Sequence, residues 1–156
     1  MAEIRRATVA DAEAIGEQRV LMFVDAEVKF AVPADTMAAN FVEWVRPKLE
    51  DGSYVGWVVD GAGGLVAGAG LWLMEWPPHF MDAEPRRAYL LNFYVSPEMR
   101  RQGLARKLVA LAVDEARTRG IKVVTLHASK FGRPVYEQYG FGPSTEMMLR
   151  PGDSEG

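Results

Sequence analysis

Cysteine is absent from the 156 residues. That excludes a disulfide framework, a thiolate metal site and a cysteine nucleophile, and it suits a reducing cytoplasm. Histidine is scarce: His79 and His127 are the only two, and they lack metal-ligand spacing, so no metal is expected. Positive charge is not in excess. Lys and Arg number 18 against 21 Asp and Glu, a formal net charge of -3, which gives no global attraction to nucleic acid. No run of about 18 apolar residues occurs, and the first residues carry charges where a secretory leader needs an apolar centre. The expectation is a cytoplasmic protein that engages neither nucleic acid nor membrane.

Two phosphate-binding patterns are missing as well. There is no G-x-x-x-x-G-K-[ST], so no lysine is placed to reach terminal phosphates. Gly61, Gly63 and Gly64 suggest a dinucleotide turn, but Val66 stands at the third glycine and a strand-like LVAGAGLWL follows, so this cluster reads as a hairpin turn.

The most informative stretch that is present is LLNFYVSPEMRRQGLARKLVALAVDEA, residues 90–116. Its apolar start, residues 90–95, reads as a buried strand that Pro97 stops. From Leu104 the apolar positions Leu104, Leu108, Leu111, Ala112 and Ala116 follow the rhythm of a helix with one buried face. The turn between strand and helix is RRQGLA. The first helical turn has N–H groups with no intrahelical partner, so it receives anions. Gly103 lets a ligand approach the backbone, Ala105 keeps the next turn small, and Arg100, Arg101, Arg106 and Lys107 add positive charge. A phosphate or pyrophosphate is the expected ligand.

This turn matches R-x-x-G-x-A, with Arg100, Gly103 and Ala105 in the fixed positions, and V-x-P precedes it at Val95 to Pro97. Downstream, VVTLHASKFGRPVYEQYGF offers a strand (residues 123–127), a break, a short helix carrying tyrosine (residues 134–139) and a closing Gly140-Phe141. Between them lies one helix that ends at Gly120. In these two elements, their order and their spacing, the chain resembles the GCN5-related N-acetyltransferase (GNAT) family over roughly residues 3–150.

The remaining chain agrees with one domain, residues 1–150, and a flexible tail, residues 151–156. Residues 3–6 read as an edge strand, and Thr8 with Asp11 as the capping box of a helix reaching about Glu27, with Ala12, Ile15, Met22, Phe23 and Ala26 inward. A second helix is predicted over residues 35–46, broken or kinked by Pro47. Strands follow over residues 54–59, 65–75 and 88–95, with the irregular WPPHFMDAEPRR before the last of these, and a final strand is predicted over residues 146–149. The fold class is α/β: a GNAT-like mixed sheet of six to seven strands with about four helices, in the order β-α-α-β-β-β-α-β-α-β.

The resemblance implies a function: acetyl-CoA as co-substrate, and direct transfer of its acetyl group to the amine of a small molecule or peptide, by a monomer or homodimer. It implies that backbone groups of Phe93, Tyr94 and Val95, where the strand splays from its neighbour, meet the pantetheine arm and the acetyl carbonyl. The amides of Arg101, Gln102, Gly103, Leu104, Ala105 and Arg106, with Arg100 before them, would hold the pyrophosphate. Tyr136 matches the tyrosine that protonates the leaving thiolate, and a neutral phenol can donate at pH 7. For the base, the resemblance points to the third strand or the loop after it, which offers Glu75, His79, Asp82 and Glu84; Glu75, between Trp72 and Trp76, is preferred because an apolar setting makes a carboxylate a better base. Phe30 and Phe80, in predicted loops, are candidates for an acceptor pocket. His127 reads as a structural residue of a buried strand, and Ser129 stands where the family often has asparagine. The alternative function is a non-catalytic acyl-CoA sensor or regulatory module.

Overall fold

The computed structural model describes residues 3–152. The chain forms β1 (Arg5–Arg6), a 3-10 turn (Val9–Asp11), α1 (Ala12–Asp25), α2 (Ala34–Asp51), β2 (Tyr54–Gly61), β3 (Gly64–Glu75), β4 (Arg86–Val95), a second 3-10 turn (Pro97–Met99), α3 (Leu104–Thr118), β5 (Val124–Thr125) and α4 (Arg133–Tyr139). The sheet order is β1-β2-β3-β4-β5, antiparallel except for the parallel pair β4 and β5. Among the described residues no helix is long and apolar enough to cross a membrane.

Both faces of the sheet are covered, which is why β2 reads as a continuous apolar run rather than an alternating one. Val55, Trp57, Ala69, Leu71, Leu90 and Phe93 face α3, which presents Leu104, Leu108, Val109, Ala112 and Ala116. Leu111, expected inward, is 36% exposed, and Val109 takes its place in the core. Tyr54 and Val58 face α1 and α2, against Ala12, Ile15, Phe41 and Val45. The capping box forms, with Thr8 N–H donating to Asp11 Oδ2 at 2.7 Å. Toward the C-terminal end of α1, Met22, Phe23 and Ala26 are only half-buried.

The strand expected over residues 123–127 shortens to Val124–Thr125, and two further elements differ from the sequence reading. Helix α2 passes through Pro47 and ends at Gly52, whose φ of 84° gives a left-handed cap. Pro47 and Glu43 are both exposed, so water can take the carbonyl that the missing N–H leaves free. The predicted final strand does not form: among the described residues, 146–149 join no strand, and Met147, Met148 and Leu149 are 94%, 71% and 83% exposed. Among the described residues the sheet therefore has five strands rather than six or seven. A short apolar run satisfies the strand pattern only when a neighbouring edge accepts it, and β5 is itself only two residues long. Of the tail, residues 153–156 lie outside the described residues.

The feature that positions the site is a double irregularity of β4. Opposite Gly68 and Gly70 its register with β3 shifts, and Asn92 sits there with φ 55°. On its other side β4 pairs with β5 only at Ala88 and Tyr89, so from Leu90 onward that edge has no strand partner and the sheet opens.

Candidate functional site

The mouth of this opening is the turn before α3. Arg101 has φ 67° and Gly103 φ 81°, and the amides of Arg101 to Arg106 find no backbone acceptor among the described residues. A Cβ at Gly103 would meet no protein atom within 4 Å, so the glycine serves backbone conformation and leaves open space in front of the amides. Not every arginine here is free for an anion. Arg100 Nε donates to the Val95 carbonyl at 2.9 Å, its Nη2 meets Asp25 at 2.7 Å, and its guanidinium lies 3.9 Å from the Phe131 ring centroid, so the side chain braces the loop. Arg106 donates to Gln138 Oε1 at 2.9 Å from an exposed position, and Arg101, Gln102 and Lys107 are exposed.

At the apex of the opening, Tyr136 is buried with its ring centroid 5.1 Å from that of Phe93. Burial, with the nearby Tyr89 phenol adding to it, pushes the Tyr136 phenol well above the ordinary tyrosine range. The ring fits because residue 132 is glycine: a Cβ there would come within 2.8 Å of Cε2 and 3.1 Å of the hydroxyl. Ser129 Oγ accepts the Gly132 N–H at 3.1 Å and so sets the start of α4. Tyr139, one turn on, is only partly buried and packs 6.4 Å from Phe141. The structure thus brings Phe93, Tyr94, Val95, the 100–106 turn and Tyr136 together.

It does not bring Glu75 to them. Glu75 pairs with Arg86 at the far end of β3, and from Arg86 to Asn92 the strand rises roughly 20 Å. By alternation it also lies on the α3 side with Leu71 and Leu73. His79, Asp82 and Glu84 share a separate loop at that end. His79 and Asp82 bridge through their backbones, and Asp82 Oδ1 accepts the Glu84 N–H at 3.0 Å. That bond, with Arg86 close by, holds the Asp82 carboxyl below its usual range. Phe80 is 95% exposed, whereas Phe30 packs edge-on to Phe23 at 6.1 Å. Among the described residues no group of three or more His, Asp or Glu could hold a metal ion.

Sequence reasoning missed the clamp on the bulge. Asn92 is 1% exposed; its Nδ2 donates to the Tyr54 hydroxyl at 2.8 Å, its Oδ1 accepts from Arg19 Nη1 at 2.7 Å, and its carbonyl accepts from Gln18 Nε2 at 3.4 Å. A polar residue inside the run LLNFYV was the available signal, since asparagine tolerates a left-handed backbone. His127 is also corrected: it lies past the end of β5 with its side chain 58% exposed, Nδ1 bonded to the Tyr89 hydroxyl and Nε2 3.4 Å from Glu146 Oε2. Tyr89, the last β4 residue paired to β5, stands at the apex of the split.

A mixed sheet that opens between two parallel strands, with a donor-rich turn at the mouth and a phenol at the apex, is the architecture of a GCN5-related acyltransferase. The comparisons agree. The sequence model described as the acetyltransferase (GNAT) family matches residues 20–141, and the chain belongs to that family. An uncharacterized N-acetyltransferase of Escherichia coli (strain K12), YjgM, is 30% identical over 144 residues, covering 88% of this chain and 80% of the relative. The crystal structure of a GCN5-related N-acetyltransferase from Ralstonia eutropha JMP134 superposes with a TM-score of 0.84 at 38% identity, over 96% of this chain and 98% of that one. A predicted acetyltransferase from Clostridium acetobutylicum, crystallised with acetyl-CoA, gives a TM-score of 0.87 at 27% identity, over 96% of each chain.

Proposed function

We propose that this N-acetyltransferase uses acetyl-CoA and transfers the acetyl group directly to an acceptor amine, without a covalent enzyme intermediate. The observation that carries the reading is the run of unsatisfied amides from Arg101 to Arg106 beside the unpaired edge of β4. Those groups suit a pyrophosphate followed by an extended arm: the amides and the open space at Gly103 for the phosphates, the backbone of Phe93, Tyr94 and Val95 for the arm and the acyl carbonyl. Acetyl-CoA supplies the activated acyl group and a thiolate leaving group. Tyr136, kept neutral by burial, holds the proton that the thiolate needs.

The proton lost by the amine needs its own acceptor. Glu75, preferred from sequence, would have to act from the far end of β3. The chain Tyr89–His127–Glu146 starts at the apex and ends among exposed groups, and we assign it the role of passing that proton to solvent.

The test is thioester turnover, followed as released CoA thiol over a panel of amino acids, polyamines, aminoglycosides and peptides. Turnover on at least one amine class, with acetyl-CoA protected from displacement by ATP, is the expected result. CoA binding without turnover on any amine would favour the sensor reading, and displacement by ATP at similar affinity would sink the cofactor assignment.

A further inference from the structure

Arg19 is a half-buried cation that meets no carboxylate among the described residues. It projects from the middle of α1 towards the sheet, with its guanidinium 4.9 Å from the Phe23 centroid and 4.7 Å from that of Phe41. One nitrogen, Nη1, is engaged by Asn92; Nε and Nη2 bond to nothing among the described residues, and neither is sealed from solvent. Arg5, Arg86 and Arg100 each meet an aspartate, but no described carboxylate forms an ion pair with Arg19. The titratable groups that bear on it are two phenols, Tyr54 and Tyr89, and burial lowers its pKa. A partly desolvated cation with no counter-charge carries a cost, and the cost is relieved when a ligand supplies an anion.

The position of that free edge is specific. Arg19 is bonded to Asn92, the residue before Phe93, and lies near the Tyr89 phenol at the apex, which in turn lies near Tyr136. We propose that the acceptor is an amine bearing a carboxylate, of the free amino acid type, whose carboxylate binds the Nε/Nη2 edge of Arg19 while its nitrogen faces the apex. A planar fork with one edge free matches a carboxylate in two parallel hydrogen bonds. A phosphomonoester, with more charge, calls for a second cation. Arg87, also on this face, stacks on Trp76 at 4.1 Å and lies 3.4 Å from His79, beyond Tyr89 along β4, and Arg5 is held by Asp11 and Asp60. This assignment deepens the acetyl-transfer reading and rests on it.

The experiment compares the full chain and Arg19→Gln, with acetyl-CoA, on matched acceptors: free amino acids, their carboxamides, phosphoethanolamine and putrescine. Wild type prefers acids over carboxamides, and Arg19→Gln lowers that preference about 10- to 100-fold, chiefly through KM for the acid, with CoA affinity retained. Comparing the ratio between wild type and variant cancels the different basicity of the two amines. Arg19→Lys recovers part of the preference, which loss of the Asn92 clamp alone would not explain. A ratio that is the same in wild type and variant, or a preference for phosphoethanolamine or putrescine, overturns the proposal. Should no amine turn over, calorimetry on the CoA-loaded protein separates the two ideas. Acid binding that Arg19→Gln abolishes keeps the carboxylate site and removes the transferase reading; no acid binding removes both.

Discussion

The Tyr54 hydroxyl accepts its hydrogen bond from Asn92 across the vacant side-chain position of Gly70, where any Cβ would overlap the phenol. Three strands are joined in this way: β2 supplies the phenol, β3 the gap and β4 the bulge. Burial pushes the Tyr54 phenol up to about 12, so it stays neutral and keeps its place in the network. The bulge redirects β4 just where its edge opens, so this contact links sheet packing to the candidate site.

Tyr54→Phe should therefore destabilise the fold by about 1–3 kcal/mol, the cost of leaving the Asn92 amide without its acceptor. Urea unfolding followed by tryptophan fluorescence measures it. An unchanged midpoint would show that Arg19 and Gln18 hold the bulge unaided.

Tyr136→Phe should lower kcat about 10²- to 10⁴-fold while leaving CoA affinity within about twofold, because the ring remains and only the proton is lost. Gly132→Ala should act in the same direction with the hydroxyl intact, since the new methyl displaces the phenol. The raised phenol pKa adds a sign. Tyr136 stays protonated through the ordinary tyrosine pKa of about 10, so kcat should not fall there on its account. A wild-type rate for Tyr136→Phe would end the acid assignment.

The parts of the candidate site that the sequence could propose were those with a local rule. Gly103 and its neighbours mark a helix start, and Tyr136 follows a recognisable Gly-Arg-Pro entry to α4. Arg19, Tyr54 and Asn92 lie in three separate elements, and nothing in their spacing says that they meet. Glu75 was preferred for its tryptophan neighbours in sequence, but the ladder register, which local composition does not encode, sets it opposite Arg86, at the end of β3 away from the bulge. The fold failed to follow its pattern at residues 146–149 for a related reason: a strand needs an edge to join, and the pattern describes only one side of the pair.

Gly103→Glu should abolish acetyl-CoA binding. The fold tolerates the volume, since the Cβ position is open, but a non-glycine residue at φ 81° is strained and the carboxylate would stand before the amides that receive phosphate. Gly103→Ala isolates the backbone term and should weaken CoA much less. Calorimetric titration with CoA gives both numbers, and equal affinity for Gly103→Glu and wild type would refute the loop assignment.

His127→Gln and Glu75→Gln discriminate between the two routes for the amine proton. Interrupting Tyr89–His127–Glu146 should reduce kcat at least about tenfold without changing CoA affinity. Glu75→Gln should leave kcat/KM within about twofold, because it lies roughly 20 Å along the ladder from the bulge. The reverse pattern would restore Glu75 as the base.

Asp11 gives the fold a defined acid sensitivity. Its carboxylate accepts from Arg5 at 2.8 and 2.9 Å and from Thr8 N–H at 2.7 Å, so Arg5 first, and the Thr8 amide after it, hold its pKa below the usual range. A depressed carboxylate pKa contributes stability that is present above the unfolded value, about 3.9, and is lost as pH falls through the folded value below it. Arg5 is 39% exposed at its side chain and also binds Asp60, so solvent screening keeps the contribution near the low end for a charged hydrogen bond. Asp11→Asn should cost about 1 kcal/mol at pH 7. The gap to wild type should close as pH falls below the unfolded value and through the lower folded one, where the aspartate itself becomes neutral. Thermal unfolding at pH 7, 5 and 3 tests this: a gap that stays constant on acidification would mean that Asp11 acts through its shape as a cap rather than through its charge.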